Sequence, residues 1–182
     1  LLIDMLSRDH QQRHAQSTHS APIPHVIGAI DNRPQYSRNT LYLNRGDGTY
    51  AEIAQLSDVQ ASGWSWSPIF LDVDLDGYED IIIATGHFYD ALNTDVLARI
   101  RSKRYRSLDN WRNKIFEFPS LSIPNKAFHN RGDLTFEEVG DKWGFSTTDI
   151  SHGIALGDFD NDGDLDIVFN RLNALAGVYR NE

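Results

Sequence analysis

The sequence has 182 residues and a mass of 20.7 kDa, which suits one ordinary domain or a part of a larger protein. Hydrophobic residues make up 40% of it, which excludes a wholly disordered chain, and no apolar run approaches the ~18 residues of a membrane span. A formal charge of −9 argues against a nucleic-acid partner, and the absence of cysteine excludes disulfides, thiolate metal sites and a cysteine nucleophile.

Residues 1–38 are predicted to form a helix near 2–15 and then a proline-containing loop. This segment contains the histidines His10, His14, His19 and His25. A zinc site would need more ligands in a defined arrangement, so we interpret these side chains as exposed or packed histidines. The chain does not begin with Met and a basic stretch, so no signal peptide is expected within it.

Residues 39–86, the first unit, are predicted to form four short strands. The predicted strands are 40–44, 49–53, 64–71 and 80–85. A tight Arg-Gly-Asp-Gly turn joins the first two, and an acidic loop joins the last two. The turn spells an integrin-recognition tripeptide at Arg45 to Asp47, but turn chemistry alone favours Gly and Asp there. Four strands in this length are the size of one β-propeller blade.

Residues 87–124, the inserted segment, differ in character from the first unit. Seven of the seventeen basic residues lie there, and Val96, Leu97 and Ile100 predict a short amphipathic helix within 93–106. Pro119 and Pro124 predict a return loop. The basic residues could bind an acidic glycan or the protein's own acidic surface, and a solvated helix face is the simpler interpretation.

The second half of the chain repeats the first at an offset of 86 residues. One gapless shift superposes 44–50 on 130–136 and 72–81 on 158–167. Residues 125–172 are therefore predicted to form a second unit, and residues 173–182 to begin a further blade. The predicted strands of the second unit are 126–130, 135–139, 152–157 and 166–170. A two-blade fragment leaves strand edges open, so we expect part of a longer protein or a chain that self-associates.

Two nine-residue loops hold nine of the twenty aspartates, and both have the pattern Asp-x-Asp-x-Asp-Gly-x-x-Asp. Positions 1, 3 and 5 converge when the chain turns at the glycine, position 7 offers a backbone carbonyl, and position 9 closes the far side. Hard oxygen ligands favour calcium over zinc or copper. The predicted ligands of two Ca²⁺ ions are Asp72, Asp74, Asp76, Tyr78 (carbonyl) and Asp80 in the first loop, and Asp158, Asp160, Asp162, Asp164 (carbonyl) and Asp166 in the second.

Three alternatives to calcium sites fit the sequence less well. An EF-hand needs a glutamate at position 12 and flanking helices, whereas Ile83 and Phe169 occupy that position within β-rich runs. In plain acidic turns, carboxylates ~5 Å apart would repel by roughly 3 kcal/mol per pair, which favours a bound cation. Magnesium prefers water-rich octahedral sites and suits this ligand set less well.

These motifs resemble the FG-GAP/VCBS repeat proteins, the calcium-loop β-propellers of the integrin-α type. The matching pieces are NTLYLNRGDGTY, FLDVDLDGYEDIIIATGH, NKAFHNRGDLTFEEV, HGIALGDFDNDGDLDIVF and VYRNE. More closely, the chain is similar to secreted propellers that carry an ASPIC/UnbV module, which would lie beyond residue 182. Two departures concern turn geometry: Leu134 stands where the first unit has Gly48, and Phe70-Leu71 where the second has Leu156-Gly157.

The resemblance implies a mainly β fold of four-stranded antiparallel propeller blades with an inserted helical segment. It implies structural, non-catalytic calcium that ties the third strand of each blade to the fourth. It further implies a secreted, periplasmic or cell-surface module that binds a protein or glycan ligand, with no nucleic-acid binding and no membrane insertion.

An enzyme is the competing hypothesis, namely the propeller portion of a polysaccharide hydrolase or lyase with its active site on absent blades or on the inserted segment. His87 and His152 could lie at a propeller mouth and act as bases, but no partnered nucleophile is visible. The tryptophans that could stack on sugars are Trp64, Trp66, Trp111 and Trp143. Trp64 and Trp66 alternate along one strand and face one side, which favours packing between blades.

Overall fold

A computed structural model describes residues 1–16, 28, 37–103 and 113–181. Within these residues the fold is mainly β with antiparallel sheets, as predicted. The strands are β1 Tyr42–Asn44, β2 Tyr50–Glu52, β3 Ser65–Leu71, β4 Asp80–Thr85, β5 Ile123–Pro124, β6 Lys126–Asn130, β7 Phe136–Glu138, β8 Thr148–Asp149, β9 Ile154–Gly157, β10 Asp166–Phe169 and β11 Gly177–Tyr179. The helices are α1 His10–Ala15, α2 Thr94–Ser102 and a 3₁₀ helix over Asn113–Glu117.

Strand β4 is an inner strand of its sheet, and all six of its residues are buried. Ile81 and Ile83 face one hydrophobic cluster, whereas Ile82 and Ala84 face another on the opposite side of the sheet. A strand covered on both faces requires a continuous apolar run, which this sequence provides. Full burial of each isoleucine contributes about 1.5–3 kcal/mol, so β4 is a rigid support for the loop that precedes it.

The largest sheet has four strands in the order β3-β4-β6-β7, so it combines two strands from each unit. The prediction that the four strands of 39–86 form one sheet is therefore corrected, because β1 and β2 form a separate hairpin. The reason lies in β4, whose buried backbone groups need partners on both edges. Strand β6 supplies the second edge, with Ile81 opposite Phe128 and Ile83 opposite Lys126.

A second sheet has the order β11-β10-β9 and repeats this arrangement. Strands β9 and β10 belong to the second unit, and β11 belongs to the segment predicted to begin a further blade. Neighbouring units therefore contribute to one sheet in both halves of the described chain. The sheets are offset by half a repeat from the sequence units.

The predicted helix over 2–15 is shorter in the structure. Leu2 and Leu6 instead form isolated β-bridges with Thr40 and Gly63. Helix α1 starts only after Asp9, whose side chain accepts a hydrogen bond from the backbone N–H of Gln12 and caps the helix. The N-terminal residues are thus extended and add to the edges of the first unit.

The inserted segment contains α2 within the predicted range 93–106; the helix begins after the capping residue Asn93 and ends at Ser102. The predicted return loop holds the short strand β5, which pairs with β8. His19, His25 and Trp111 lie outside the described residues, as do three of the seven basic residues of the inserted segment, Arg104, Arg106 and Arg112. In the described parts of the chain, no helix is long and apolar enough to cross a membrane.

Candidate metal centres

The first acidic loop, residues 72–80, connects β3 to β4 and is folded by its own aspartates. Asp72 accepts hydrogen bonds from the backbone N–H groups of Asp76 (3.0 Å) and Gly77 (2.9 Å), and Asp76 accepts one from Tyr78 N–H (2.8 Å). The chain turns through positive φ at Leu75 (58°) and Gly77 (92°). These bonds draw the loop into a compact turn around its carboxylates.

The second acidic loop, residues 158–166, connects β9 to β10 with the same internal bonds. Asp158 accepts from the N–H groups of Asp162 (3.2 Å) and Gly163 (3.2 Å), and Asp162 accepts from Asp164 N–H (3.1 Å). Asn161 (φ 63°) and Gly163 (φ 103°) turn the chain where Leu75 and Gly77 do so in the first loop. The nine-residue pattern therefore specifies the same turn twice.

The last aspartate of the first acidic loop is fully buried at the start of β4. Asp80 Oδ2 accepts a hydrogen bond from Val73 N–H (3.0 Å), and Oδ1 accepts one from Asn130 N–H (2.8 Å). Burial raises the pKa of Asp80, and these two backbone N–H groups oppose that shift because they favour the ionised carboxylate. The side chain thus anchors the loop to β6 of the second unit.

Asp166 has the corresponding place in the second acidic loop, with 2% exposure. Its carboxylate accepts hydrogen bonds from Phe159 N–H (2.9 Å) and Asn181 N–H (3.0 Å). The backbone N–H of Asn181 therefore contacts the second loop in the same way as that of Asn130 contacts the first. In both halves a buried carboxylate joins the loop to the strand that follows from the next unit.

The structure brings the first, third and ninth aspartates of each loop together. Their carboxylate oxygens lie within 4.8 Å of one another in the groups Asp72, Asp74, Asp80 and Asp158, Asp160, Asp166. Oxygen donors at this spacing fit a hard divalent cation, so each group could hold a metal ion. Asp76 and Asp162 lie outside these two groups, although Asp76 forms a separate group with Asp74 and His129. A role for the carbonyls of Tyr78 and Asp164 stays a prediction.

Two residues from the following units also face the acidic loops, His129 in β6 and Arg180 just after β11, and sequence reasoning missed both. His129 Nδ1 lies 3.3 Å from Asp74 Oδ2 and 3.2 Å from Asp80 Oδ1. Arg180 Nε lies 2.5 Å from Asp160 Oδ2, and its Nη2 lies 3.4 Å from Asp162 Oδ2. The backbone N–H of Asp164 and the Arg180 guanidinium help to hold the pKa of Asp162 below its usual range.

A signal for these two residues was present in the repeat. His129 and Arg180 each precede the asparagine that bonds to a buried aspartate, and Leu43 precedes the matching Asn44 of the first unit. The position before this asparagine therefore faces the loop of the preceding unit. Sequence alignment of the hairpins reveals the position, but only the sheet order reveals what it faces.

The turn at 131–133, which repeats the Arg-Gly-Asp sequence of 45–47, packs against the first acidic loop. A Cβ atom at Gly132 would lie 2.9 Å from the Tyr78 ring, and Asn130 Nδ2 donates a hydrogen bond to the Glu79 carbonyl (3.0 Å). The Asp133 carboxylate accepts hydrogen bonds from the Thr135 side chain and backbone, which lower its pKa. Glycine and aspartate thus have structural roles in this turn.

The candidate histidines outside the loops lie in an aromatic group. The His87 ring stacks on Trp64 (4.2 Å between centroids) and on Trp66 (5.7 Å), and His152 packs on Trp66 at 4.3 Å. Burial lowers the pKa of His152, and the neighbouring His87 lowers it further. Trp64 and Trp66 therefore both contact His87, although Trp64 is buried and Trp66 is 42% exposed.

Comparison with known proteins adds two findings. A family model described as FG-GAP-like repeat matches residues 26–83 and 94–169. A segment of 57 residues is 40% identical to Cartilage acidic protein 1 from Homo sapiens. That match covers 31% of this chain and 9% of the human protein, so the chain matches only a small part of this relative.

Proposed function

The chain belongs to the FG-GAP-like repeat family, and on this premise we propose that it is a calcium-binding, extracytoplasmic β-propeller module for protein or glycan binding. In this proposal the two acidic loops each hold one Ca²⁺ ion. The ions are structural and do not take part in catalysis. The predicted ligands are those named for each loop in the sequence analysis, including the carbonyls of Tyr78 and Asp164.

The observation that carries the calcium proposal is the recurrence of one geometry. Two loops, 86 residues apart in sequence, fold with the same hydrogen bonds and each gather three carboxylates within 4.8 Å. Carboxylates at this distance repel one another by about 3 kcal/mol per pair at an effective dielectric constant of about 20. A divalent cation would convert that repulsion into attraction, and oxygen ligands from a flexible loop suit calcium best.

The proposed ions would stabilise the contact between neighbouring units. Asp80 belongs both to the carboxylate group of the first acidic loop and to a hydrogen bond with Asn130 of β6. An ion bound there would fix the loop, and with it the edge on which the second unit pairs. This arrangement supports the propeller proposal, because a closed ring requires each unit to be joined firmly to the next.

Location and partners follow from the family and remain part of the proposal. FG-GAP repeats occur in extracellular binding and adhesion modules, so we place this chain outside the cytoplasm, secreted, periplasmic or at the cell surface. The resemblance to VCBS propellers with an ASPIC/UnbV module extends the proposal to the whole protein. The sequence of the full-length gene would test that extension, since it would contain the module and more repeats.

An enzyme portion remains the second candidate function. The observation that favours it is a group of titratable side chains. His87 and His152 pack on exposed Trp66, and the buried Asp90 interacts electrostatically with His87. Burial raises the pKa of Asp90, as is common for a general acid. If the module only binds its ligand, His87→Ala and His152→Ala should leave binding nearly unchanged and no hydrolysis or elimination products should form.

Thermal unfolding in EDTA, followed by titration with Ca²⁺ and in parallel with Mg²⁺, tests the proposed function. At about 100-fold excess over Kd, each site should add about 2.7 kcal/mol, which corresponds to roughly 5–10 °C in Tm for a chain of this size. The variant Asp74→Ala plus Asp160→Ala should lose this increase. The control Asp95→Ala plus Asp141→Ala removes the same charge at exposed positions outside the loops and should keep it.

The proposal fails if the protein is folded in EDTA and Ca²⁺ leaves its Tm unchanged. The acidic loops would then be ordinary turns. An equal response to Mg²⁺ and Ca²⁺ would contradict the choice of calcium.

A further inference from the structure

Three aromatic rings form a patch at the opposite end of β3 and β4 from the first acidic loop. Trp66 lies near the start of β3, His87 lies just after the end of β4, and His152 lies two residues before β9. These three residues are called the ring patch below. Trp66 is 42% exposed, and His152 is also exposed. The patch is therefore a small aromatic surface and not a lone surface residue.

Hydrogen bonds and ring contacts hold the patch in place. The Trp66 indole N–H donates to the Gly86 carbonyl at 2.6 Å, and the His87 ring lies within 12° of parallel to the indole. The backbone N–H of His152 donates to Asn170 Oδ1 at 3.0 Å, which fixes the segment that carries the third ring. Because the rings are already ordered, a ligand that binds them loses little free energy in ordering the protein.

The exposed part of Trp66 is hydrocarbon. Its only polar side-chain atom, Nε1, is already bonded to the Gly86 carbonyl, so a ligand meets ring carbons. An exposure of 42% corresponds to on the order of 100 Å² of surface. A stable protein interface needs about 800 Å² from each partner, far more than this side chain offers. The C–H face of a single sugar ring, by contrast, is about the size of one indole.

The charge around the ring patch favours a neutral ligand. Burial and the neighbouring His87 lower the pKa of His152, so its imidazole is uncharged at neutral pH. The formal charge of −9 on the whole chain disfavours an acidic ligand. The nitrogen atoms of neutral imidazoles can exchange hydrogen bonds with hydroxyl groups. A neutral sugar combines these requirements, because it has apolar C–H faces and a rim of hydroxyl groups.

Two neighbouring units build the patch together. Trp66 and His152 occupy the same position of the repeat, 86 residues apart, and their rings lie 4.3 Å apart. Each unit thus contributes one ring to a continuous surface. A surface of this kind suits a ligand that is itself a chain of similar units, such as an oligosaccharide.

We propose that the ring patch is a binding site for a neutral glycan, in which one pyranose ring stacks on the exposed carbons of Trp66. This inference rests on the proposed function in one respect, that the module binds a protein or glycan ligand, and it selects the glycan. Trp66 provides most of the contact. His87 and His152 are positioning residues that border the indole, and their hydrogen bonds to sugar hydroxyls replace bonds to water at little net gain.

Nuclear magnetic resonance titration of the ¹⁵N-labelled chain with neutral hexasaccharides tests the inference. The probes are cellohexaose, laminarihexaose and mannohexaose, each up to about 10 mM, with hexagalacturonate as the acidic comparison. We expect at least one neutral probe to shift the Trp66 indole N–H resonance, which is identified by its loss in Trp66→Phe. The resonance of Trp143, which packs on His129 beside the first acidic loop, should stay in place.

Affinities of the variants show which side chain carries the binding. Trp66→Ala should lower the affinity for the bound probe by at least about tenfold, because it removes the stacking surface. His152→Ala should lower it by less than about threefold. The matched control Tyr50→Ala removes another exposed aromatic ring, on β2, and should leave the affinity unchanged. If circular dichroism shows that alanine disturbs folding, Trp66→Phe replaces it and should give a smaller loss.

Four results would overturn the inference. These are no shift of the Trp66 resonance with any neutral probe, an affinity that survives Trp66→Ala, a loss in His152→Ala as large as that in Trp66→Ala, and tighter binding of hexagalacturonate than of the neutral probes. The first result, together with stabilisation by Ca²⁺, leaves the calcium-binding module standing with a protein ligand.

The same titration in EDTA separates this inference from the calcium proposal. The ring patch and the first acidic loop lie at opposite ends of β3 and β4, so sugar binding and ion binding are measured independently. Sugar binding without stabilisation by Ca²⁺ supports the inference and contradicts the calcium proposal. Absence of both contradicts both.

Discussion

In the first acidic loop Asp72 accepts hydrogen bonds from two backbone N–H groups further along the loop, and in the second acidic loop Asp158 does the same. The side chains that face these loops differ, since His129 faces the first and Arg180 faces the second. The comparison distinguishes what the loop sequence itself determines from what the neighbouring unit contributes. The loop backbone is specified by nine consecutive residues, whereas the side chain that faces it comes from the following unit.

The largest expected effect comes from removing the buried aspartate of each loop. Asp80→Ala leaves the N–H groups of Val73 and Asn130 without their acceptor, and we expect a loss of about 3 kcal/mol in the free energy of unfolding. Asp166→Ala should cost less, about 2 kcal/mol, because its sheet has three strands where the sheet of Asp80 has four within the described residues.

Urea unfolding in EDTA measures both losses without a contribution from bound ions. The matched control is Asp141→Ala, which removes an exposed carboxylate and should change stability by less than about 0.5 kcal/mol. Losses no larger than that of the control would contradict the anchoring role of the buried aspartates.

Arg180→Ala tests the charge difference between the loops. The guanidinium pairs with Asp160 and Asp162, so a cation must displace it or tolerate its charge. In an Asp74→Ala background, which disables the first loop, we expect Arg180→Ala to raise Ca²⁺ affinity about three- to tenfold at low salt. Calorimetry at about 50 mM and 500 mM KCl should show this gain shrinking with ionic strength. Unchanged affinity at low salt would mean that Arg180 does not compete with the ion.

Exchanging the residues at the fourth position of the two loops tests whether the same backbone turn has the same residue preference in both. Leu75 and Asn161 both have positive φ, which asparagine tolerates better than leucine. Leu75 is 58% exposed, so little packing is lost on substitution. We expect Leu75→Asn to stabilise the protein by about 0.5–1 kcal/mol and Asn161→Leu to destabilise it by a similar amount. Urea unfolding of both variants measures the effect, and equal signs for the two exchanges would refute it.

The smallest expected effect concerns a buried carboxylate outside the loops. Asp90 is 6% exposed, and its Oδ1 has no hydrogen-bond partner, in contrast to both oxygens of Asp80. Burial raises the pKa of Asp90, so the folded state holds this proton more tightly than the unfolded state, and stability falls as the pH rises through that pKa. Asp90→Asn should therefore raise Tm by roughly 2 °C at pH 7.

The gain from Asp90→Asn should disappear below about pH 3, where the wild-type carboxyl is protonated in both states. Thermal unfolding at pH 3, 5.5 and 7 measures the trend, and His87, which interacts electrostatically with Asp90, is present in both proteins. A gain that is constant over this range would show that the titration of Asp90 is not its cause.

The sequence predicted the local features of the fold and of the site. Strand β4 was predicted with its observed bounds. A short, continuous apolar run between an acidic loop and a glycine is typical of a buried strand. The positions of the acidic loops between paired strands were also predicted correctly. Each of these features depends on neighbouring residues in the chain.

Sheet order and the residues beside the loops were not predictable in the same way. The pairing of β4 with β6 spans the inserted segment, and no local pattern specifies a partner at that separation. His129 and Arg180 were missed for the same reason, since each faces a loop about 50 or 20 residues away in sequence. The helix predicted over 2–15 was too long because Leu2 and Leu6 pair with strand residues of the first unit instead.

The pairing of β4 with β6 also bears on how such a chain can lengthen or shorten during evolution. Duplication of one unit copies the second half of one sheet and the first half of the next. A single copy therefore leaves both its outer edges unsatisfied until neighbours on each side complete them. Units of this kind are therefore joined to each neighbour through a shared sheet. Segments between β4 and β6, by contrast, can vary in length without altering either sheet.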